Sequence, residues 1–93
     1  MSRKQLIDEQ LKRACSPLHL DVVDESHMHS VPEGAESHFK VTLVSQQFDQ
    51  QSLLQRHRAV NKVLAHDLEN GIHALALHTM TPDEWYAKGG HSP

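Results

Sequence analysis

Nine histidines among 93 residues are the chemical anomaly of this sequence. Imidazole carries protons near neutral pH and ligates zinc, copper and iron. Taken singly, most of the nine read as surface residues. Three hold positions suited to ligation. His73 opens the segment His73-Ala-Leu-Ala-Leu-His78 directly after Asn70-Gly71, where a side chain can leave a core and meet a ligand. His27 and His29 flank Met28 at the front of a polar stretch that also holds Pro32 and Gly34. On an extended chain successive side chains alternate faces, so His73 and His78 point opposite ways and do not chelate one ion together. A partner for His73 must come from elsewhere in the chain or from another molecule. There is no helical His-x-x-x-His pair and no Cys-x-x-Cys.

Other chemistries find less support. The single thiol, Cys15, continues an apolar helical stripe and reads as a packed residue, and one cysteine permits no intramolecular disulfide. No Gly-x-Ser-x-Gly elbow, phosphate-cradling glycine loop or dinucleotide fingerprint is present, and the carboxylates are scattered. These absences argue against an enzyme. Arg56, Arg58 and Lys62 put cations in the first half of a helix, with Arg58 and Lys62 four apart on one face. Phosphate contacts are one use for them. A solvated face, partly balanced by Asp67 and Glu69, is the plainer reading, because the chain carries a formal charge of -3.

The elements that must position these residues follow from local pattern. Residues 2–15 read as a helix, with Ser2 and Gln5 as a capping box and Ile7, Leu11 and Ala14 on its apolar face. Ser16-Pro17 ends it. A strand is expected over 18–26 and a second over 38–44, where Phe39, Val41 and Leu43 alternate with polar residues. The connection between them is too long for a tight hairpin turn and carries His27 and His29. A polar connector with Phe48 pinned to the core leads to a helical region over 52–69. Ser52 and Gln55 cap it, and Leu53, His57, Val60, Leu64 and Leu68 mark its stripe, widened by Leu54 and Val63. A break within this region is allowed by the pattern. Asn70-Gly71 supplies a stop tolerant of left-handed backbone. The segment from Ile72 to Leu77 is apolar on both faces and predicts an inner strand covered on both sides. Thr81, Pro82 and Glu84 start a last helix over 82–88, closed by Gly89-Gly90, with a frayed tail over 89–93.

The order predicts one α+β domain over 1–93, with a three-stranded sheet and helices packed mainly on one face. Hydrophobic content of 38 % and few aromatics favour a compact aliphatic core over a large ligand cavity. The first ten residues lack the apolar run of a signal peptide and no window reaches membrane-spanning length, so a soluble, cytoplasmic protein is expected.

Several of these segments together resemble the BolA family. They are Val23-Asp-Glu-Ser26, Val31-Pro-Glu-Gly34, Glu36-Ser-His-Phe-Lys40, Arg56-His-Arg58, His73-Ala-Leu-Ala-Leu-His-Thr79 and Glu84-Trp85, in family order across nearly the whole chain. The resemblance implies an αββααβα fold related to the type II KH domain, with a mixed sheet. It implies a partner, a monothiol glutaredoxin with a Cys-Gly-Phe-Ser site, and a bridged [2Fe-2S] cluster held jointly with that partner and glutathione, not by this chain alone. The family's invariant histidine corresponds to His73. Its second ligand, from the loop between the first two strands, corresponds most closely to His29, with His27 as a nearby competitor. A monomer or weak homodimer is expected for the free chain. The resemblance also implies an alternative role as a stress-responsive transcription regulator, linked to cell morphology, that binds promoter DNA. Arg56, Arg58 and Lys62 would then contact phosphates. The stretch Asp49-Gln-Gln-Ser52 lacks the glycines with which a KH loop clamps nucleic acid.

Overall fold

A computed structural model describes residues 1–28, 31–32 and 34–90. Helix α1 (Arg3–Cys15) precedes strand β1 (His19–Asp24), a 3₁₀ turn (Ser26–Met28) and strand β2 (His38–Val44). A second 3₁₀ turn (Gln46–Phe48) leads to helices α2 (Leu53–Val63) and α3 (Ala65–Asn70), strand β3 (Ala74–Met80) and helix α4 (Pro82–Ala87). The three expected capping boxes form: Ser2 with Gln5, Ser52 with Gln55, and Thr81 with Glu84. In each, the hydroxyl accepts from one orphan amide and the longer side chain reaches back to another.

The sheet is mixed, in the order β1-β2-β3. β1 and β2 run antiparallel, and the α2–α3 crossover brings β3 back parallel to β2. Register places Val22 opposite Val41, and Phe39 opposite Leu75. The inner face therefore presents Val22, Phe39, Val41 and Leu43 to Ile7, Leu11 and Cys15 of α1 and to Val60 and Leu64 behind it. Phe48 and Ile72 close this core, as one cluster. Among the described residues no helix is long and apolar enough to cross a membrane.

Three sequence expectations change, and one left open is decided. First, the doubly apolar segment is an edge strand, not an inner one: β2 is central, and Ala74 and Ala76 of β3 are exposed. A run of alanine and leucine looks buried on both faces by composition, but pairing partners, not composition, decide which strand is flanked. Second, the break that the pattern allows falls at Leu64, whose φ of -97° and ψ of 14° end α2 while its side chain stays fully buried. Third, Leu53 and Leu54 lie outside, and the inward position of that turn belongs to Arg56, four residues before Val60. In α1, likewise, Cys15 and not Ala14 completes the buried stripe. Fourth, Gly71 is not left-handed: its φ is 174°. Its value is space, because a Cβ there would collide with the guanidinium of Arg3. That group pairs at 3.0 Å with the buried carboxylate of Asp67, which also accepts from Gln10 at 2.8 Å. Part of the tail expected to fray, residues 91–93, lies outside the described residues.

Candidate functional site

The site around His73 is built on serine hydroxyls and backbone groups. Ser26, buried at the start of the 3₁₀ turn just past β1, accepts through its Oγ from the amide of Ser37 at 2.9 Å and from that of His38 at 3.1 Å. One hydroxyl thus clips together the two ends of the connection between the first strands. The amide of Glu25 donates to the His38 carbonyl at 2.7 Å beside it. The carbonyl of Ser37 then accepts from both His73 (2.8 Å) and Ala74 (3.2 Å). His73 is therefore fixed at its backbone while its imidazole stays exposed. Ile72, just before it, is 4 % exposed and anchors the turn into the core. The alternation of a buried isoleucine and an exposed histidine is what sends this ring outward.

His27 lies exposed in the 3₁₀ turn directly after Ser26, so the same hydroxyl anchors it to the His73 platform. His29, the other loop position singled out in the sequence, lies outside the described residues. The fold brings in a histidine that spacing did not nominate. His38, first residue of β2, pairs with Ala74 in the parallel register. Its ring meets that of His73 edge to face, with centroids 6.3 Å apart. No local signal links positions 38 and 73, because only the crossover makes them neighbours. Beside this platform the Ser26 hydroxyl, helped by its own amide at 2.9 Å, holds the carboxyl of Asp24 below the usual carboxylate range.

Among the described residues, no group of three or more His, Cys, Asp or Glu side chains converges to hold a metal ion. The one thiol, Cys15, is buried in the core, and burial pushes its pKa up, which favours the inert protonated form. The chain thus offers exposed imidazole without thiolate.

The cationic residues divide. Arg56 is 6 % exposed and not available to a phosphate. Its Nη1 and Nη2 meet the two Glu84 oxygens at 2.6 and 3.3 Å, its Nε donates to the Gln51 carbonyl at 3.0 Å, and Nη1 also donates to the Thr79 carbonyl. The guanidinium lies over the Phe48 ring. This residue ties α2, the end of β3 and α4 together, so its expected nucleic-acid role is corrected to a structural one. The reason is geometric: a planar fork of five donors satisfies several acceptors at a junction of three elements. Arg58 and Lys62 remain exposed, and the three ion pairs among the described residues do not use them.

Residues 11–84 match the family described as BolA-like protein. The chain belongs to the BolA family. A relative in Escherichia coli (strain K12), the DNA-binding transcriptional regulator BolA, is 51 % identical over 85 residues, covering 91 % of this chain and 81 % of that protein. The solution structure of BolA1 protein from Mus musculus superposes with a TM-score of 0.85 at 40 % identity, covering 97 % of this chain and 75 % of that one. The BolA domain of SufE1 from Arabidopsis thaliana gives 0.84 at 37 % identity, with 90 % and 96 % covered. The BolA fold thus accounts for the platform: β2 and β3 are parallel neighbours, and the turn into β3 emerges beside the clipped loop.

Proposed function

We propose that this BolA-like chain is a non-catalytic cytoplasmic adaptor that docks on a monothiol glutaredoxin and co-ligates a bridged [2Fe-2S] cluster, in iron-sulfur trafficking or iron sensing. The observation that carries this reading is the exposed His73 imidazole on a rigid hydrogen-bonded base, in a chain whose only thiol is buried. Such a molecule owns part of a coordination sphere and must borrow the rest. His73 and a loop imidazole, His29 or His27, would hold the cluster from this side, while the glutaredoxin and glutathione supply thiolates. Two imidazoles on one iron of a [2Fe-2S] centre raise its potential relative to an all-thiolate one. On this chain's side, the serine clip anchors His27 beside the His73 platform, and the exposed edge strand leaves His73 open to a partner.

Mixing the chain with a monothiol glutaredoxin, iron, sulfide and glutathione should change the visible absorption relative to glutaredoxin alone. His73→Ala should return it to the glutaredoxin spectrum. A mixed spectrum unaltered by His73→Ala removes His73 as a ligand, and parallel His27→Ala and His29→Ala variants decide which loop imidazole takes part.

A second reading, promoter binding in transcriptional regulation, is favoured by exposed Arg58 and Lys62 on α2 and by kinship with the Escherichia coli DNA-binding transcriptional regulator. The logarithmic salt slope of DNA binding should fall by about 0.9 for each phosphate that Arg58→Ala or Lys62→Ala leaves without its cation. Unchanged slopes take α2 out of that interface.

A further inference from the structure

Of the two outer strands, β1 carries charge and β3 carries none. β1 holds Asp21 and Asp24, whereas Ala74–Met80 contains no Lys, Arg, Asp, Glu or Pro. Folded proteins blunt exposed sheet edges with charge, proline or a bulge, because an open edge is a template for another strand. β3 lacks the first two and runs in unbroken register with β2. The Ala74 amide donates to the Ser37 carbonyl, and the Met80 carbonyl accepts from the Ser45 amide. Residues 74, 76, 78 and 80 therefore bond toward β2, and Leu75, Leu77 and Thr79 turn their backbone groups outward. Among the described residues, the Thr79 carbonyl alone of these outward groups finds a partner, the Arg56 guanidinium. Thr79 is 5 % exposed, yet its hydroxyl has no hydrogen-bond partner within one copy.

We propose that β3 pairs antiparallel with β3 of a second copy, about a two-fold axis at Leu77. The outward set 75, 77 and 79 is symmetric about that axis, so Leu77 meets Leu77 and Leu75 meets Thr79 of the second copy. On the opposite face of the sheet, Ala76 stands against His78 of the second copy. No like charges face each other along this seam. Leu75 of the second copy comes to a hollow of about 270 Å³ beside Thr79, bordered by Leu53, which is 61 % exposed. Antiparallel pairing also carries the α3 end of one copy to the α4 end of the other. The exposed Glu69 then shares an end with the exposed Lys88 of the second copy, and the two-fold repeats these opposite charges at the far end. The β1 edge offers no such fit, because self-pairing there gathers Asp21 and Asp24 of both copies at one seam. A seam of seven residues a side buries less than the roughly 800 Å² per partner of a standard interface, so the pair is weak and forms at high concentration. A chain so paired does not offer the same edge to another protein. The pairing is otherwise independent of the cluster-sharing reading, since it needs neither glutaredoxin nor iron.

The test uses the full chain alone. Sedimentation equilibrium should show the mean mass rising from monomer toward dimer between about 10 μM and about 1 mM, the range of a weak complex. In a mixture of isotope-labelled and unlabelled chain, filtered NMR spectra should join the α-proton of Ala76 in one copy to that of His78 in the other, the close pair of this register. Ala76→Lys, an exposed substitution that adds the charge edge strands usually carry, should weaken pairing at least tenfold. Lys88→Glu should weaken it several-fold, and adding Glu69→Lys should restore it. Circular dichroism melts establish that each variant is folded. A chain still monomeric at about 1 mM overturns the proposal and leaves β3 to a different protein. Pairing unchanged in folded Ala76→Lys or Lys88→Glu overturns it too. So do contacts between copies centred on β1 or α1 in the unaltered chain, a result that needs no variant to fold. No arm contains glutaredoxin, so failure of this seam and failure of the cluster reading are separate results.

Discussion

The two ends of the sheet hold their positions by different physics. At the His73 end, neutral hydroxyls and backbone groups do the fastening: Ser26 Oγ takes two amides, and the Ser37 carbonyl takes two more. At the opposite end, where Ser45 makes similar bonds to the Cys15 and Met80 carbonyls, a charge pair and an aromatic stack are added. Arg56 grips Glu84, and Trp85 of α4 stacks on His19 of β1 with centroids 4.5 Å apart. There the cross-strand row His19, Val44, Met80 has its last two members buried. At the His73 end, by contrast, the paired row of His38 and Ala74 is half-buried at the first and exposed at the second. A small domain can in this way keep a reactive end available. Anchoring His73 through its backbone leaves its ring nitrogens for a ligand, whereas anchoring through a side chain, as at Arg56, consumes the functional group.

The largest expected effect lies at the charged end. Arg56→Ala should lower stability in urea by about 2–3 kcal/mol, less than a fully buried pair because Glu84 can return to water. Two carbonyls are also left without their donor there. Its mixed spectrum with glutaredoxin should survive wherever the protein remains folded. Ser26→Ala should cost about 2 kcal/mol, since two amides are deprived of their acceptor without any charge being involved. Unlike Arg56→Ala, it should also weaken cluster sharing, because it releases the loop from the His73 platform. Equal effects of both variants on the spectrum would dissolve the distinction between the ends.

Acid separates the two ends further. The Arg56 hydrogen bonds, with the Thr81 amide helping, hold the Glu84 carboxyl below its ordinary value of 4.5. A depressed folded-state pKa adds stability above the unfolded value, and that stability is lost as pH falls through the folded one. Stability of the parent should therefore decline from about pH 5 downward, and Glu84→Gln should flatten part of that decline. A decline equally steep in Glu84→Gln would assign acid sensitivity elsewhere. The smallest stability effect belongs to the proposed ligand. His73→Ala, an exposed substitution, should shift the urea midpoint by no more than corresponds to about 0.5 kcal/mol. A greater destabilisation would mean that the ring helps to hold the fold.

Much of this is legible in sequence because it is local. Three capping boxes, the Pro82 start and the alternation of Phe39, Val41 and Leu43 each depend on neighbours within a few residues, so the elements are readable nearly to their ends. The apolar residues at helical spacing also name most of the core. The same local rules misread Arg56, because a cation beside Arg58 looks solvated until a carboxylate 28 residues away arrives against it. They misplace the strand after Gly71 for a similar reason, since a segment's composition does not say how many strands flank it.

The helices and strands, their order, and His73 at the mouth of a strand all follow from the order of residue types along the chain. That this strand is the edge, that Gly71 makes room for Arg3, and that His38 stands beside His73 while Arg56 is enclosed follow only from folding. Each of these depends on a contact across the α2–α3 crossover or between chain segments far apart. Periodicity reports which face of an element seeks the core, whereas only the packed chain settles which distant group that face meets.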